Sequence, residues 1–238
     1  MAGVDTLQWL NLARHGESTG NVAHDAVDGT GAEEKDVPER DADIPLTAAG
    51  REQAAGLGRW LATLPADERP TAVVTSPYLR ARETARIALA RTDYAADLVP
   101  RVDERLRDRD QGVFEGLTPA GIRGRHPEEA RRREWIGKFY YRPPGGESWT
   151  DLALRLRSFY RDLGSCFPGG RVLIVTHDVI IVMTRYLVEE LTEERLMEIE
   201  REPVGNASIS RWRQGGGGLR AVCYDDRAHL ASAGSPAE

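Results

Sequence analysis

Two histidines and two arginines of this sequence stand where short apolar runs end. Arg14 and His15 follow the first run. Arg80 lies shortly after the second run, and His177 ends the third. An arginine can form paired hydrogen bonds with phosphate oxygens, and an imidazole can attack phosphorus. If the three runs are parallel strands of one sheet, all four side chains meet outside its carboxyl edge, where ligands bind in open α/β folds. The pattern therefore predicts a cationic phosphate site.

The other polar residues near these runs have more ordinary interpretations. His24, His126 and His229 lie in polar or loop-like segments, and we interpret them as structural or surface residues. Glu17 is interpreted either as a substrate contact or as a carboxylate that orients Arg14. A charge run is usually a solvated helix face, so the same interpretation applies to Arg131–Arg133, with the rim of an anion site as the alternative.

The apolar runs are predicted to be buried strands that alternate with helices. Strands are expected over Leu7–Ala13, Thr71–Thr75, Asp97–Val99 and Arg171–Thr176, with a late edge hairpin over Ala207–Trp212 and Leu219–Tyr224. Helices are expected from the caps Thr47 and Ser148, over Tyr78–Ala90 and Val179–Val188, and in part of Pro119–Tyr141. This alternation predicts an α/β fold with helices on both faces of the sheet. Because no linker divides the chain, residues 1–238 are expected to form one domain.

One long segment does not fit this alternation. Residues 22–45 are polar, acidic and interrupted by glycine and proline, which predicts a loop. A loop of this length inside a compact domain is typical of a lid or a binding loop.

Composition excludes several classes of protein. The 238 residues carry 32 Lys and Arg against 38 Asp and Glu, a net charge of −6, which argues against a nucleic-acid binder. No apolar run is long enough to cross a membrane, and the N-terminus does not resemble a signal peptide, so a cytoplasmic location is expected. The sequence does not fix the oligomeric state, and a homodimer is one option.

Seven segments resemble, in matching order, the motifs of the histidine phosphatase superfamily, branch 1, the phosphoglycerate mutase-like family. They are LARHGESTGN (12–21), IPLTAAGREQA (44–54), TSPYLRARETA (75–85), DQGVFEGLT (110–118), PPGGESWTDLALR (143–155), VLIVTH (172–177) and PVGNASIS (203–210). A lone RHG would be weak evidence, but the ordered set covers nearly the whole chain. The resemblance implies a three-layer α/β/α fold with a mostly parallel central sheet.

The resemblance also implies roles for the matched residues. His15 would be the nucleophile that forms a phosphohistidine, and Arg14, Asn21, Arg80 and His177 would hold the phosphoryl oxygens. Charge spreads over three oxygens in phosphoryl transfer, so cationic donors can do most of the catalysis. No metal and no cofactor are expected.

The proton donor for the leaving oxygen is where this sequence departs from the family. The family usually places Glu four residues before the glycine of its G-x-W/F-E-G block, and this chain has Asp108 there. Glu104, Asp110 and Asp178 remain alternative donors. A second branch of the superfamily places its acid directly after the second histidine, as Asp178 is here. Its other interpretation is the N-cap of the helix that starts at Val179.

The leading hypothesis is a metal-independent phosphatase that hydrolyses small phosphomonoesters through a phosphohistidine on His15. The main alternative is a cofactor-dependent phosphoglycerate mutase, and a phospho-ligand binder without activity is a third. The family's mutases have a Glu-Arg-x-Tyr-Gly block where this chain has residues 108–112, and the mismatch favours hydrolysis. The expected partner is a small phosphorylated metabolite. We expect the choice of substrate to depend on residues 22–45 and Pro119–Tyr141.

Overall fold

The computed structural model describes residues 4–95 and 98–231, which form a six-stranded sheet with helices on both faces. The strands are β1 Trp9–Arg14, β2 Ala72–Thr75, β3 Arg101–Val102, β4 Arg171–Thr176, β5 Ile209–Gly215 and β6 Gly218–Asp226. The helices are α1 Thr19–Val27, α2 Ala48–Thr63, α3 Leu79–Leu89, α4 Pro119–Arg125, α5 Pro127–Ile136, α6 Trp149–Cys166, α7 Asp178–Val188, α8 Glu193–Ile199 and α9 Ala228–Ala231. The predicted α/β fold is confirmed.

The sheet brings the carboxyl ends of three strands together. Its order is β3-β2-β4-β1-β5-β6, with β1, β2, β3 and β4 parallel and the last two strands antiparallel. Arg14 pairs with Thr176, and Thr75 pairs with Val175, so the next residues along each strand emerge at one edge. This register places His15, Ser76 and His177 side by side.

Two apolar layers hold the helices on the sheet. Strand side chains such as Leu12 and Ile174 pack on one face with α6 and α7. Side chains such as Ala13 and Val175 pack on the other face with α2 and α3. Because successive strand residues point to opposite faces, the continuous apolar runs of β1 and β4 fill both layers at once.

The predicted loop over residues 22–45 is wrong in its first part. Helix α1 extends to Val27, so the irregular segment runs over residues 28–47, with one short 3-10 turn at Asp41–Asp43. Ser18 starts the helix through a capping box, in which its side chain accepts from the Asn21 backbone and the Asn21 side chain accepts from Ser18 N. The polar composition of the segment concealed this helix start.

The predicted third strand was also misplaced. Asp97 lies outside the described residues, and Leu98 and Val99 are not in a strand. The strand is Arg101–Val102, after Pro100, and it pairs with the end of β2 as the sheet's edge. Both of its residues are exposed, so no apolar signal marks it. Within the described ranges, none of the helices is long and apolar enough to span a bilayer.

Candidate active site

His15 and His177 lie next to each other at the carboxyl edge of the sheet. Their ring centroids are 5.2 Å apart, with the rings edge to face. The backbone N–H of His15 donates to the Thr176 carbonyl at 2.9 Å, which joins the two strand ends. His15 is 3% exposed and His177 is fully buried. The structure therefore brings together the two histidines that are 162 residues apart in the sequence.

The contacts of His15 define which ring nitrogen carries the proton. Its Nδ1 lies 2.7 Å from the Gly16 carbonyl oxygen, which can only accept, so Nδ1–H is the donor. Nε2 then carries a lone pair and accepts from Arg80 Nε at 3.3 Å. Burial, and then the charges of His177 and Arg80, hold the pKa of His15 well below its usual range. The ring is neutral at pH 7, with Nε2 as its nucleophilic atom.

His177 has the opposite arrangement. Its Nε2 lies 2.8 Å from Ser76 Oγ, and Ser76 Oγ already accepts from the Tyr78 backbone N–H. The Ser76 hydroxyl hydrogen is therefore free to donate to Nε2, which leaves the proton on Nδ1. That Nδ1 lies 3.3 Å from Asp108 Oδ2, is buried and makes no hydrogen bond within the described residues. Burial, then Arg80 and Arg14, keep the pKa of His177 well below its usual range.

Arg80 connects His15 to two carboxylates. It is the second residue of α3 and is 4% exposed. Besides His15, its guanidinium contacts Asp41 Oδ1 at 2.9 Å and Asp108 Oδ2 at 3.1 Å. Sequence reasoning missed Asp41, which lies in the irregular segment 39 residues before Arg80.

Arg14 and Asn21 are held by the late PVGNASIS segment. Arg14 donates to the Val204 carbonyl, and its Nε is buried without a partner in the described part of the chain. Asn206 Nδ2 donates both to the His15 carbonyl, at 3.2 Å, and to Asn21 Oδ1, at 3.1 Å. Asn206 was matched to the family motif but not assigned a role, and it locks the turn that carries His15.

The turn after His15 packs tightly against the start of α2. Thr47 Oγ1 donates to the Glu17 carboxylate at 2.6 Å. The backbone N–H of Glu17 donates to Gln53 Oε1 at 2.8 Å. Within the described residues the carboxylate forms no hydrogen bond or ion pair with Arg14, and Glu17 is not among the residues that line the cleft above His15. A contact between Glu17 and substrate stays a prediction. The PLTAAGREQ segment holds the turn after His15 in place.

A residue of α6 holds the backbone at Asp108. Arg155, on α6, donates to the Asp108 carbonyl at 3.1 Å and pairs with Glu147 at 2.9 Å. Glu147 also pairs with Arg107 at 2.6 Å. This network fixes the backbone on which Asp108 stands, while its Oδ1 accepts from the Arg109 N–H at 2.8 Å.

The alternative proton donors occupy different places. Asp178 lines the same cleft, its Oδ1 accepts from the Val179 N–H at 2.7 Å, and burial raises its pKa. It is the first residue of α7, and His177 holds the N-cap position, so the predicted cap was off by one residue. Asp110 is exposed and accepts from the Gly112 N–H, and Glu104 is exposed on a 3-10 turn. These two are not brought to the histidines.

Two cavities that share a wall open above the histidines. The first, of about 370 Å³, is lined by Arg14, His15, Asn21 and Arg80. The second, of about 420 Å³, extends away from them. Their shared wall contains residues that sequence reasoning missed or interpreted otherwise; these are His24, Lys35, Asp41 and Glu115, together with Asp108 and Asp178. His24 is exposed, as predicted for a surface residue, and it also lies on the face of α1 that borders both cavities.

Comparisons with known proteins agree with this geometry. The model of the histidine phosphatase superfamily (branch 1) matches residues 10–227. The chain is 31% identical over 195 residues to a 2,3-bisphosphoglycerate-dependent phosphoglycerate mutase 2 of Gloeobacter violaceus, and the match covers 81% of each chain.

Solved structures give the same result. A mycobacterial glucosyl-3-phosphoglycerate phosphatase in complex with inorganic phosphate is 26% identical, with a TM-score of 0.69 over 93% of this chain and 99% of that one. Bacillus stearothermophilus YhfR is 28% identical, with a TM-score of 0.71 over 93% and 98% of the two chains. Because the family model spans most of the sequence and the strand-end histidines have the expected placement, this chain belongs to branch 1 of the histidine phosphatase superfamily.

Proposed function

We propose that this protein is a phosphatase that hydrolyses small phosphomonoesters through a phosphohistidine on His15. The observation that carries the proposal is the state of the His15 ring. Its Nδ1–H is used by the Gly16 carbonyl, and its Nε2 lone pair lies 3.3 Å from Arg80 Nε. A neutral nucleophile beside a buried guanidinium is what attack on a negatively charged phosphoryl group requires.

The first step forms a bond between His15 Nε2 and phosphorus and breaks the bond between phosphorus and the ester oxygen. The leaving alkoxide takes a proton from the Asp108 carboxyl group. Arg14, Arg80 and the Nδ1–H of His177 stabilise the charge on the phosphoryl oxygens. In the second step water attacks phosphorus, Asp108 takes the water's proton, and the N–P bond breaks to release phosphate. His15 is then neutral again, and neither step needs a metal or a cofactor.

The second cavity suits the organic part of the substrate. Arg109 and Arg133 line it, and burial together with Arg133 lowers the pKa of Arg109. Within the described residues neither guanidinium forms an ion pair with a carboxylate, and Arg109 donates only to Gln111 Oε1, at 3.1 Å. An anionic group on the leaving alcohol would find two donors there. We therefore propose small phosphomonoesters that carry a second negative group.

The similarity to a phosphatase that binds inorganic phosphate supports hydrolysis, whereas the similarity to a phosphoglycerate mutase supports the alternative. The two activities are separated by one assay with 3-phosphoglycerate and a catalytic amount of 2,3-bisphosphoglycerate. Fast isomerisation without phosphate release would establish a mutase and contradict the phosphatase proposal.

The decisive experiment is release of phosphate from p-nitrophenyl phosphate and from a panel of phosphorylated metabolites, with EDTA present. We expect turnover by the unmodified protein and none by His15→Ala. Mass spectrometry after rapid acid-free quenching should find an acid-labile phosphoryl group on His15. His126→Ala is the matched control, because His126 lies at the end of α4 and outside both cavities. Equal rates in both variants would exclude His15 as the nucleophile.

A further inference from the structure

Nearly all the hydrogen-bond donors of Arg80 are used by protein acceptors. A guanidinium has five N–H groups. Nε donates to His15 Nε2, and Nη2 donates to Asp108 Oδ2 at 3.1 Å. Nη1 contacts Asp41 twice, at the main-chain oxygen (2.5 Å) and at Oδ1 (2.9 Å). Within the described residues this leaves one N–H, on Nη2.

Asp41 contacts Arg80 from the irregular segment 28–47. An earlier part of this segment is hydrogen-bonded to the residues just before α4. The Thr118 N–H donates to the Glu33 carbonyl at 3.0 Å, and the Lys35 N–H donates to the Gly116 carbonyl at 2.9 Å. Arg125 pairs with Glu33 at 3.1 Å. Residues after this anchor line the cleft, and Asp41 lines both cavities.

A phosphoryl group bonded to His15 Nε2 would compete directly with Asp41. Its oxygens would need the Arg80 fork, because bidentate pairing is how arginine binds a phosphate. They would also lie close to two carboxylates, and like charges at such distances repel. The backbone that carries Asp108 is fixed by Arg155. Asp41 has no such support, because within the described residues its side-chain ion pair and its carbonyl hydrogen bond are both with Arg80.

We propose that Asp41 is a positioning residue. It binds the N–H groups of Arg80 that the phosphoryl group also needs, and it is displaced when that group binds. This inference rests on the proposed function, because it assigns the phosphoryl oxygens to Arg80. Asp41 compensates a buried guanidinium that would otherwise be unpaired on this side, and it thereby lowers the affinity for phosphate. Weak binding of phosphate promotes release of the product, and the segment around Asp41 shifts with occupancy.

The test measures the affinity for inorganic phosphate by calorimetry, which needs no turnover. Asp41→Asn keeps the shape of the side chain and removes its charge. We expect this variant to bind phosphate about threefold to tenfold more tightly, the size of one net hydrogen bond. The matched control is Asp43→Asn, on the same 3-10 turn, whose carboxylate pairs with the exposed Arg40. We expect the control to bind phosphate as the unmodified protein does.

Turnover of p-nitrophenyl phosphate gives a second measurement. The inhibition constant of phosphate should fall in Asp41→Asn by the same factor as the dissociation constant. Damage to the fold could only weaken phosphate binding, so a merely structural role of Asp41 cannot explain tighter binding. We expect Asp41→Ala to bind phosphate more tightly as well. Unchanged or weaker phosphate binding in both variants would overturn the proposal. If His15→Ala abolishes turnover while these variants bind phosphate as the unmodified protein does, only the role of Asp41 fails.

Discussion

The assignment of acid and nucleophile depends on a few individual atoms. Asp108 Oδ2 lies 3.3 Å from His177 Nδ1 and 3.1 Å from Arg80 Nη2, so it borders the site of attack. Asp178 lines the same cleft, but within the described residues no hydrogen bond or ion pair joins it to either histidine or to Arg80. A general acid must be within reach of the leaving oxygen, and this geometry favours Asp108.

Asp108→Asn should therefore affect substrates according to their leaving groups. An alkyl phosphate needs a proton on its leaving oxygen, and we expect its turnover to fall by about 10²- to 10⁴-fold. p-Nitrophenyl phosphate has a leaving group that is stable as an anion, so its turnover should fall much less. Steady-state kinetics on both esters measures the difference.

The control for this prediction is Asp178→Asn, which removes the carboxyl of the alternative proton donor in the cleft. We expect this variant to change the turnover of the two esters by the same factor. If Asp178→Asn instead shows the selective loss on alkyl phosphates, the proton donor is Asp178 and the role assigned to Asp108 is wrong.

Ser76 sets the proton position on His177, and its loss should be measurable. Ser76→Ala removes the hydrogen bond to Nε2, so the Nδ1–H form is no longer favoured. We expect kcat/KM to fall by about fivefold to tenfold, the effect of one hydrogen bond. Nitrogen NMR of the imidazole should show a changed tautomer. An unchanged tautomer with a lower rate would contradict this role.

Among the elements, the turn after β1 and the first turn of α2 approach each other unusually closely. A Cβ on Gly50 would lie 1.9 Å from the Glu17 carbonyl oxygen, and a Cβ on Gly16 would lie 2.3 Å from the Gly50 carbonyl oxygen. Backbone atoms cannot give way as a flexible side chain can. Glycine at both positions is therefore required to pack the turn after His15 on α2.

Gly50→Ala should lower the free energy of unfolding by about 1–3 kcal/mol, the usual effect of overpacking, and should reduce turnover with it. Alanine favours a helix more than glycine does, so a lower free energy of unfolding in this variant would come from the clash. Gly56→Ala, on the same helix, is the control, because the nearest atom to its Cβ would be in the flexible Leu230 side chain, at 3.2 Å. Urea unfolding compares the two variants. If both lose the same free energy, the close approach is not the cause.

Elements with a strong local signal were predictable from the sequence, and contacts between elements were not. β4 was predicted with its observed bounds, because six consecutive residues suit a strand buried on both faces. β3 is two exposed residues held by its neighbour, so nothing local marks it. The paired histidines follow from strands that end at one edge. Asp41 could not be found in this way, because its contact with Arg80 joins a polar segment of no periodicity to a distant helix.

At the scale of the whole molecule, the buried site should make stability depend on pH. Burial holds the pKa values of His15 and His177 below the value of about 6.5 that they have in an unfolded chain. From that value downward the unfolded state binds more protons, so the free energy of unfolding falls as pH falls. The slope is up to about 1.4 kcal/mol per pH unit for each histidine.

The buried carboxyls act in the opposite direction. Burial raises the pKa values of Asp41 and Asp178, so the folded state takes up their protons at higher pH than the unfolded state. Their contribution to stability is present at low pH and is lost as pH rises through the folded pKa. The pH profile of the unmodified protein is therefore the difference of two opposing trends, and it cannot identify the histidines alone.

The double variant His15→Gln/His177→Gln separates these trends. It keeps the carboxyls and removes both imidazoles, so its free energy of unfolding should fall less between pH 7 and pH 5 than that of the unmodified protein. Urea unfolding at a series of pH values measures the two profiles. Because only the buried rings carry the effect, His126→Ala should follow the unmodified protein. Parallel profiles for the double variant and the unmodified protein would mean that the two rings titrate alike in the folded and unfolded chain, and the neutral nucleophile proposed at Nε2 would lose its basis.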